Sequence, residues 1–335
     1  MSIELRPLNA RESLWEVDGS RHRGRSLPEL VAYFADQSRE IERLVNDGAG
    51  LYFKGFPVVD VHAFHQVISS INPNFVPYTG AKVRTEDANH LYRPTSTPGF
   101  RKNFLHNEMA YQRDIPSKIY LYCARPAPRG GESILGDQRD VYSSIPLAVR
   151  SEFESRRLMF VRKLVNDSAI HRFLTKHFDI MAIMPSWQGN FGVTERKLAE
   201  KFCTDAGFSV EWTSSGQMII RCIIHPVLTH PVTGEPMWVN NAHLFQLHAG
   251  VYGPALYTLF KTASLFSRDT MTTCLYGDGN PIPPEAIQAI LDATERNEVP
   301  LALQSGDFAY ANNHCISHGR LPFSGSRELL FGLAS

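Results

Sequence analysis

The chain has 335 residues, 43% hydrophobic and 20% charged, the balance of a globular protein with a sizeable core. Lys+Arg and Asp+Glu both number 34, so no net field recruits nucleic acid or an anionic membrane. The start "MSIELRPLNARESLWEV" has no basic stretch leading into an apolar run, and no segment approaches the ~18 apolar residues of a membrane helix, so neither a signal peptide nor a span is expected.

Ser26 is placed to cap a helix reaching about Asn46, with Pro28 in its first turn and Leu30, Val31, Phe34, Ile41 and Leu44 on one side. "GLYFKGFPV" then reads as a short buried strand, and "DVHAFHQVISSI" (60–71) as a helix capped by Asp60. Strands are expected between about 104 and 135: "FLHNEMAY", "SKIYLYCARPA" and a third after the "RGGESIL" turn. The stretch 137–222 is mixed, with a helix around 194–206 and the strand "GQMIIRCII". "HPVTGEPMWVNN" (230–241) reads as a hairpin turning at Thr233-Gly234. A helix in "NPIPPEAIQAILDAT" and the strands "PLALQ", "GDFAYAN" and "RELLFGLA" finish the chain. Strands at both ends with helices between them predict a mainly β sandwich or barrel. No repeat or Gly/Ser linker divides it. The five cysteines are scattered without a CxxC pair, which argues against a disulfide framework or zinc ribbon and for a reducing cytoplasm.

In a strand, residues i and i+2 share a face, so His106 and Glu108 of "NFLHNEMAY" would present an imidazole and a carboxylate together, with Asn107 turned away. Alone, such a pair also suits a half-exposed strand. A third ligand could come from "NNHCISHGRLPFSGSR" (312–327). Two histidines and one carboxylate on one face of an octahedron is the arrangement of non-haem Fe(II) sites, whose opposite face stays open. His314 and His318 lie four apart, a metal pair if helical, but the Gly and Pro that follow argue against a helix. His225 and His230 read as structural. Arg84, Arg93 and Arg101 fall in a loop-like stretch that could form a lid or be merely solvated. Asp137 and Asp140 suit a strand exit and a helix start better than acid–base work.

Three ordered segments, "HNEMAY", "CARPAPRGGESILGD" (123–137) and "GDFAYANNHCISHGRLPFSGSR" (306–327), resemble the taurine dioxygenase/clavaminate synthase-like (TauD/TfdA) Fe(II)/2-oxoglutarate oxygenases over roughly residues 45–333. "HPVTGEPMWVNNAHLF" and "YGDGNPI" resemble an HxE subgroup of amino-acid hydroxylases from nonribosomal-peptide pathways. The resemblance implies a double-stranded β-helix (jelly roll), one catalytic domain over 1–335 with a mixed α/β insertion around 140–230. It implies metal ligands His106, Glu108 and His318, and Fe(II), 2-oxoglutarate and O₂ as cofactor and co-substrates. Glu108 speaks against halogenating relatives, which lack that carboxylate. For the distal carboxylate of 2-oxoglutarate the resemblance implies Ser133 and an arginine after the second histidine, either Arg327 or Arg320. It places the segment with Asn241 and His243 near the substrate, the alternative being plain packing; Asn107 and Tyr111, beside the metal motif, are further candidates for substrate contact, Asn107 alternatively supporting the metal ligands. The implied reaction is hydroxylation of an unactivated C–H bond in an amino acid, free or tethered to a peptidyl carrier protein. The alternatives are the same chemistry ending in desaturation or cyclisation, and a non-catalytic jelly-roll binding protein.

Overall fold

Ser26 opens the first long helix, Leu27–Asn46, through a capping box in which the Glu29 carboxylate accepts from the Ser26 backbone N–H at 2.8 Å. Asp60 opens the second, Val61–Ile71, by accepting from the Ala63 N–H at 2.7 Å. Both match their sequence expectation. The protein is seen here as a computed structural model that describes residues 3–78, 86–88, 90–94, 97–178, 185–253, 257–258 and 273–335.

Eight strands form the larger sheet, in the order Leu5–Pro7, Leu14–Asp18, Gly50–Lys54, Phe308–Asn312, Lys118–Arg125, Glu328–Ala334, Leu91–Tyr92 and Glu86–Ala88. A smaller antiparallel sheet runs Val299–Leu301, Ser133–Asp137, Ile316–Arg320 and Asn103–His106. Side chains alternate across a strand, and the two faces of the larger sheet divide accordingly. Leu51, Phe53, Tyr120, Tyr122, Phe308 and Tyr310 pack with Leu30, Phe34, Phe64 and Ile68 of the two helices. Their neighbours Tyr52, Ile119, Leu121, Ala309 and Ala311 pack instead with Leu135, Leu301 and Ile316 of the smaller sheet. Each large side chain buried in full adds about 1.5–3 kcal/mol, so the helices and the smaller sheet are held on opposite faces of one frame. Among the described residues the two sheets stack without closing into a barrel.

A third sheet, Ser209–Trp212, Met218–Ile224, Leu158–Leu164 and Thr273–Tyr276, lies with the helices Trp187–Phe191 and Arg196–Asp205 on a core of its own around Trp187, Cys203 and Met218.

Two expectations shift. The hairpin pairs Val227–Thr229 with Pro236–Trp238, so its first arm lies before residue 230. His230 holds the turn, its Nδ1 accepting from the N–H groups of Val232 and Thr233 at 3.2 Å, and Gly234 supplies φ +71°. The strand expected through "FLHNEMAY" ends at His106, because Met109 takes φ +65° in the turn that follows. Ile316–Arg320, where the Gly and Pro argued only against a helix, is a strand. Neighbouring strands on both sides supply the pairing that its own propensity does not.

Gly319 sits where strands Ile316–Arg320 and Asn103–His106 approach each other, and a Cβ there would lie 2.5 Å from the Asn103 carbonyl oxygen. Gly319→Ala should therefore cost about 1–3 kcal/mol, the range of overpacked cores. The check is a lower urea midpoint at unchanged slope; an unchanged midpoint would contradict this packing.

Candidate metal centre

His106 ends its strand, and His318 lies directly opposite it on the antiparallel ladder, with the ring centroids 4.3 Å apart. Glu108 is in the turn beyond the strand, yet its Oε2 is 3.9 Å from His106 Nε2 and 3.7 Å from His318 Nε2. The ligand atoms of the three all lie within 4.8 Å of one another. An ion with bonds of ~2.0–2.2 Å joins donors up to about 4.4 Å apart, which both pairs satisfy. His106 Nδ1 is 2.8 Å from the Phe104 carbonyl oxygen. That oxygen only accepts, so Nδ1 carries the proton and Nε2 offers its lone pair toward Glu108.

Because the pleat does not place Glu108, side chains do. The Asn313 Oδ1 accepts from the Glu108 N–H at 2.9 Å, and its Nδ2 donates to the carbonyls of Glu108 (3.0 Å) and Pro116 (2.9 Å). The Asn107 side chain donates to the Asn313 carbonyl at 2.6 Å. Asn241 donates to the Asn107 carbonyl at 2.9 Å, and His243 Nε2 to the Leu105 carbonyl at 3.0 Å. Asn107, Asn241, His243 and Asn313 are all buried. Burial pushes the His243 imidazole down to about 4, against a smaller opposing effect of its backbone hydrogen bond, so the ring stays neutral. Tyr111 is buried too, edge-on to Phe160 and Phe245.

The triad lines a cleft together with Ser133, Arg320 and Arg327. Arg327 donates from Nη2 to Ser133 Oγ and from Nε to the Gly131 carbonyl, both at 3.0 Å. Gly131 takes φ +81° and packs so closely that a Cβ would meet Arg327 Cδ at 3.3 Å. Arg320 lies opposite Ser133 on the ladder but turns to the loop before the first metal strand, donating to the carbonyls of Thr97 (3.3 Å), Pro98 (3.1 Å) and Arg101. Burial lowers the pKa of both guanidinium groups; Arg320 falls to about 10, with the like charge of Arg327 as the second cause. Among the described residues no carboxylate pairs with either arginine.

The other candidates sit elsewhere. His314 Nε2 donates to the Ile115 carbonyl at 3.0 Å. His225 Nδ1 bonds the Val227 carbonyl, Asp137 accepts from the Arg139 N–H as a helix cap, and Asp140 pairs with Arg11 at 2.7 Å. Arg93 pairs with Glu328, and Arg101 donates to the Val251 carbonyl. Arg84 lies outside the described residues.

Residues 5–333 match the family described as Taurine catabolism dioxygenase TauD, TfdA family. The chain belongs to that family. Among its relatives, the dapdiamide synthesis protein DdaC of Enterobacter agglomerans is 27% identical over 88% of this chain and 84% of its own. A clavaminate synthase-like protein of Arabidopsis thaliana is 26% identical over 92% and 88%. The solved structure of AAD-2 in complex with Mn(II) and N-oxalylglycine shares the fold at 11% identity and TM-score 0.51, over 100% of this chain and 97% of that one.

A TauD/TfdA member is a dioxygenase that works with Fe(II), 2-oxoglutarate and O₂. The donors fit such an ion: two neutral imidazole nitrogens and one carboxylate, with the tautomer of His106 already set for ligation. When bound, the metal supplies the oxidising chemistry; the chain's residues hold and orient it. Sequence reasoning passed over Asn313. The only available signal was the Asn312-Asn313 doublet five residues before His318, and nothing in one sequence says that its amide reaches Glu108. Among the described residues no helix is long and apolar enough to cross a membrane.

Replacing His106, Glu108 or His318 with Ala should weaken Zn(II) binding by at least about a hundredfold, beyond the ~10–100-fold typical of outer-shell changes. Competition with a chromophoric chelator measures this, and an unchanged circular dichroism spectrum shows that the fold survives. Wild-type affinity in any one variant would remove that residue from the centre.

Proposed function

We propose that this protein hydroxylates an unactivated C–H bond of an amino acid, free or carried as an aminoacyl group on a carrier protein, in natural-product biosynthesis. The observation that carries the reading is one cleft holding both a His-Glu-His triad and a half-buried arginine with no carboxylate partner, beside a hydroxyl. Arg327 spends two of its five N–H donors on Ser133 and Gly131, leaving three for a carboxylate in the bidentate geometry that guanidinium favours. A half-buried cation lining a cleft without a carboxylate partner suits an anionic occupant. Arg320, committed to three backbone carbonyls, is the weaker candidate. Arg327 and Ser133 therefore hold the distal carboxylate of 2-oxoglutarate, while His106, Glu108 and His318 hold the iron.

Asn107, Tyr111, Asn241 and His243, the residues the sequence offered for the substrate side, do not line the cleft; Asn241 and His243 act on it by holding the carbonyls of Asn107 and Leu105. The relative named for dapdiamide synthesis supports a place in natural-product assembly. The two stacked sheets support a double-stranded β-helix built as one catalytic domain over 1–335, with three of the third sheet's four strands in a mixed α/β insertion around 140–230 and its fourth, Thr273–Tyr276, beyond it. Five buried free thiols support a reducing, cytoplasmic setting.

Anaerobic addition of Fe(II) and 2-oxoglutarate should produce a weak visible charge-transfer band. With oxygen, one amino acid, free or carrier-loaded, should then stimulate succinate formation and gain the mass of one oxygen. Loss of two hydrogens instead would mean desaturation or cyclisation, and no band from folded protein would sink the oxygenase reading. Arg327→Ala should raise the 2-oxoglutarate concentration needed for half-maximal turnover by at least about tenfold, the equivalent of one ~1.5–3 kcal/mol charged hydrogen bond. If Arg320→Ala does so and Arg327→Ala does not, the two arginines exchange roles.

A further inference from the structure

We infer that Asn313 is a positioning residue that aims the Glu108 carboxylate at the metal, an inference that rests on the metal centre proposed above. Glu108 is two residues past the point where the ladder stops, so no strand pairing fixes its backbone. The polypeptide at this point would be free to rotate, and the next residue, Met109, holds φ +65°, a conformation an unbranched L-residue does not favour unaided. The Asn107 carbonyl is held separately by Asn241, but both backbone polar groups of Glu108 itself are held by one amide. Asn313 accepts from the Glu108 N–H and donates to the Glu108 C=O, so both backbone polar groups of the ligand residue end on one side chain.

That side chain is itself immobilised. The Asn313 backbone N–H donates to the Ser117 carbonyl at 2.7 Å, its backbone carbonyl accepts from the Asn107 side chain, and its side-chain Nδ2 also donates to the Pro116 carbonyl. It is wholly buried and has four polar groups, all of which are paired. It also lies five residues before His318, on the segment that leads into the second histidine's strand. Asn313 thus ties the backbone of the carboxylate ligand to the chain that carries the opposite imidazole. The distances of 3.9 and 3.7 Å from Glu108 Oε2 to the two Nε2 atoms are set from both ends of this link. An amide is required because one donor and one acceptor must face a backbone C=O and N–H together; aspartate and leucine, of similar size, supply at most the acceptor or neither.

Removing the side chain leaves buried backbone groups unpaired and lowers stability whatever its role, so stability alone does not decide the matter. A double-mutant cycle does. Zn(II) is the probe, because it binds nitrogen and oxygen donors more tightly than Fe(II), and affinity is read by competition with a chromophoric chelator on full-length protein. Asn313→Ala should weaken Zn(II) binding about 10–100-fold, the range of outer-shell changes. In a Glu108→Ala background, where only His106 and His318 remain as ligands, the same substitution should cost nothing further. An equal loss in both backgrounds, or no loss in either, overturns the inference. If the alanine variant does not fold, Asn313→Ser runs the same cycle with the same criteria. Failure of the wild-type chain to bind Zn(II) would remove the metal centre itself and this inference with it. Tight wild-type binding with a silent Asn313 removes the inference alone.

Discussion

The direct opposition of His106 and His318 on one antiparallel ladder is the constraint on which the site depends. Side chains alternate along a strand, so a slip of one residue would turn either imidazole to the opposite face and dismantle the centre. The register is held by neighbours that admit no such slip. Gly319 leaves room for the Asn103 carbonyl, and Ile316 and Leu135 are committed to the core beneath the larger sheet. The same ladder sets Ser133 across from Arg320, so the residues that line the cleft are delivered by the pairing that delivers the metal ligands. Stability and chemistry share one set of hydrogen bonds here.

Around that ladder the molecule divides its polar groups by purpose. Behind the first metal strand, Asn241, His243 and Asn313 each bond a backbone group of residues 105–108, turning a segment with little regular structure into a fixed one. Neutral groups suit this task, because a charge buried there would need a partner of its own. On the cleft side the reverse holds. Two half-buried guanidinium groups line the cleft with the triad and have no carboxylate opposite them among the described residues; desolvation lowers the pKa of both, and the charge of Arg327 lowers that of Arg320 further. Such an arrangement is costly in an empty protein and becomes favourable when an anion enters.

How much of this was legible in the chain depended on whether the governing interactions were local. The capping box at Ser26 and the N-cap at Asp60 could be read directly, because a side chain meeting an N–H three residues away is a matter of sequence spacing. Gly130 and Gly131 could be read as a turn for the same reason. The strand Ile316–Arg320 was not legible, since its Gly and the Pro after it argued only against a helix and the pairing that makes it extended comes from strands distant in sequence. The idea that the pleat alone aligns His106 with Glu108 reached the right pair by an incomplete route, because the strand stops between them.

By itself the sequence determined which chemistry was available: an HxE pair, a later histidine, a Gly-Gly turn followed by a serine, and two arginines near the end, in an order that resembles one oxygenase family. Only the tertiary structure decided how these were used. Arg327 and Arg320 are equivalent in composition and seven residues apart, yet one lies against Ser133 and the other is spent on a loop. Asn107 and Asn313 look alike in the chain, yet one amide ends on a carbonyl and the other clasps both backbone groups of a metal ligand. The physical reason is common to both cases. A hydrogen bond depends on position and direction to within a fraction of an ångström, and between residues some two hundred positions apart those are set by sheet register, not by sequence.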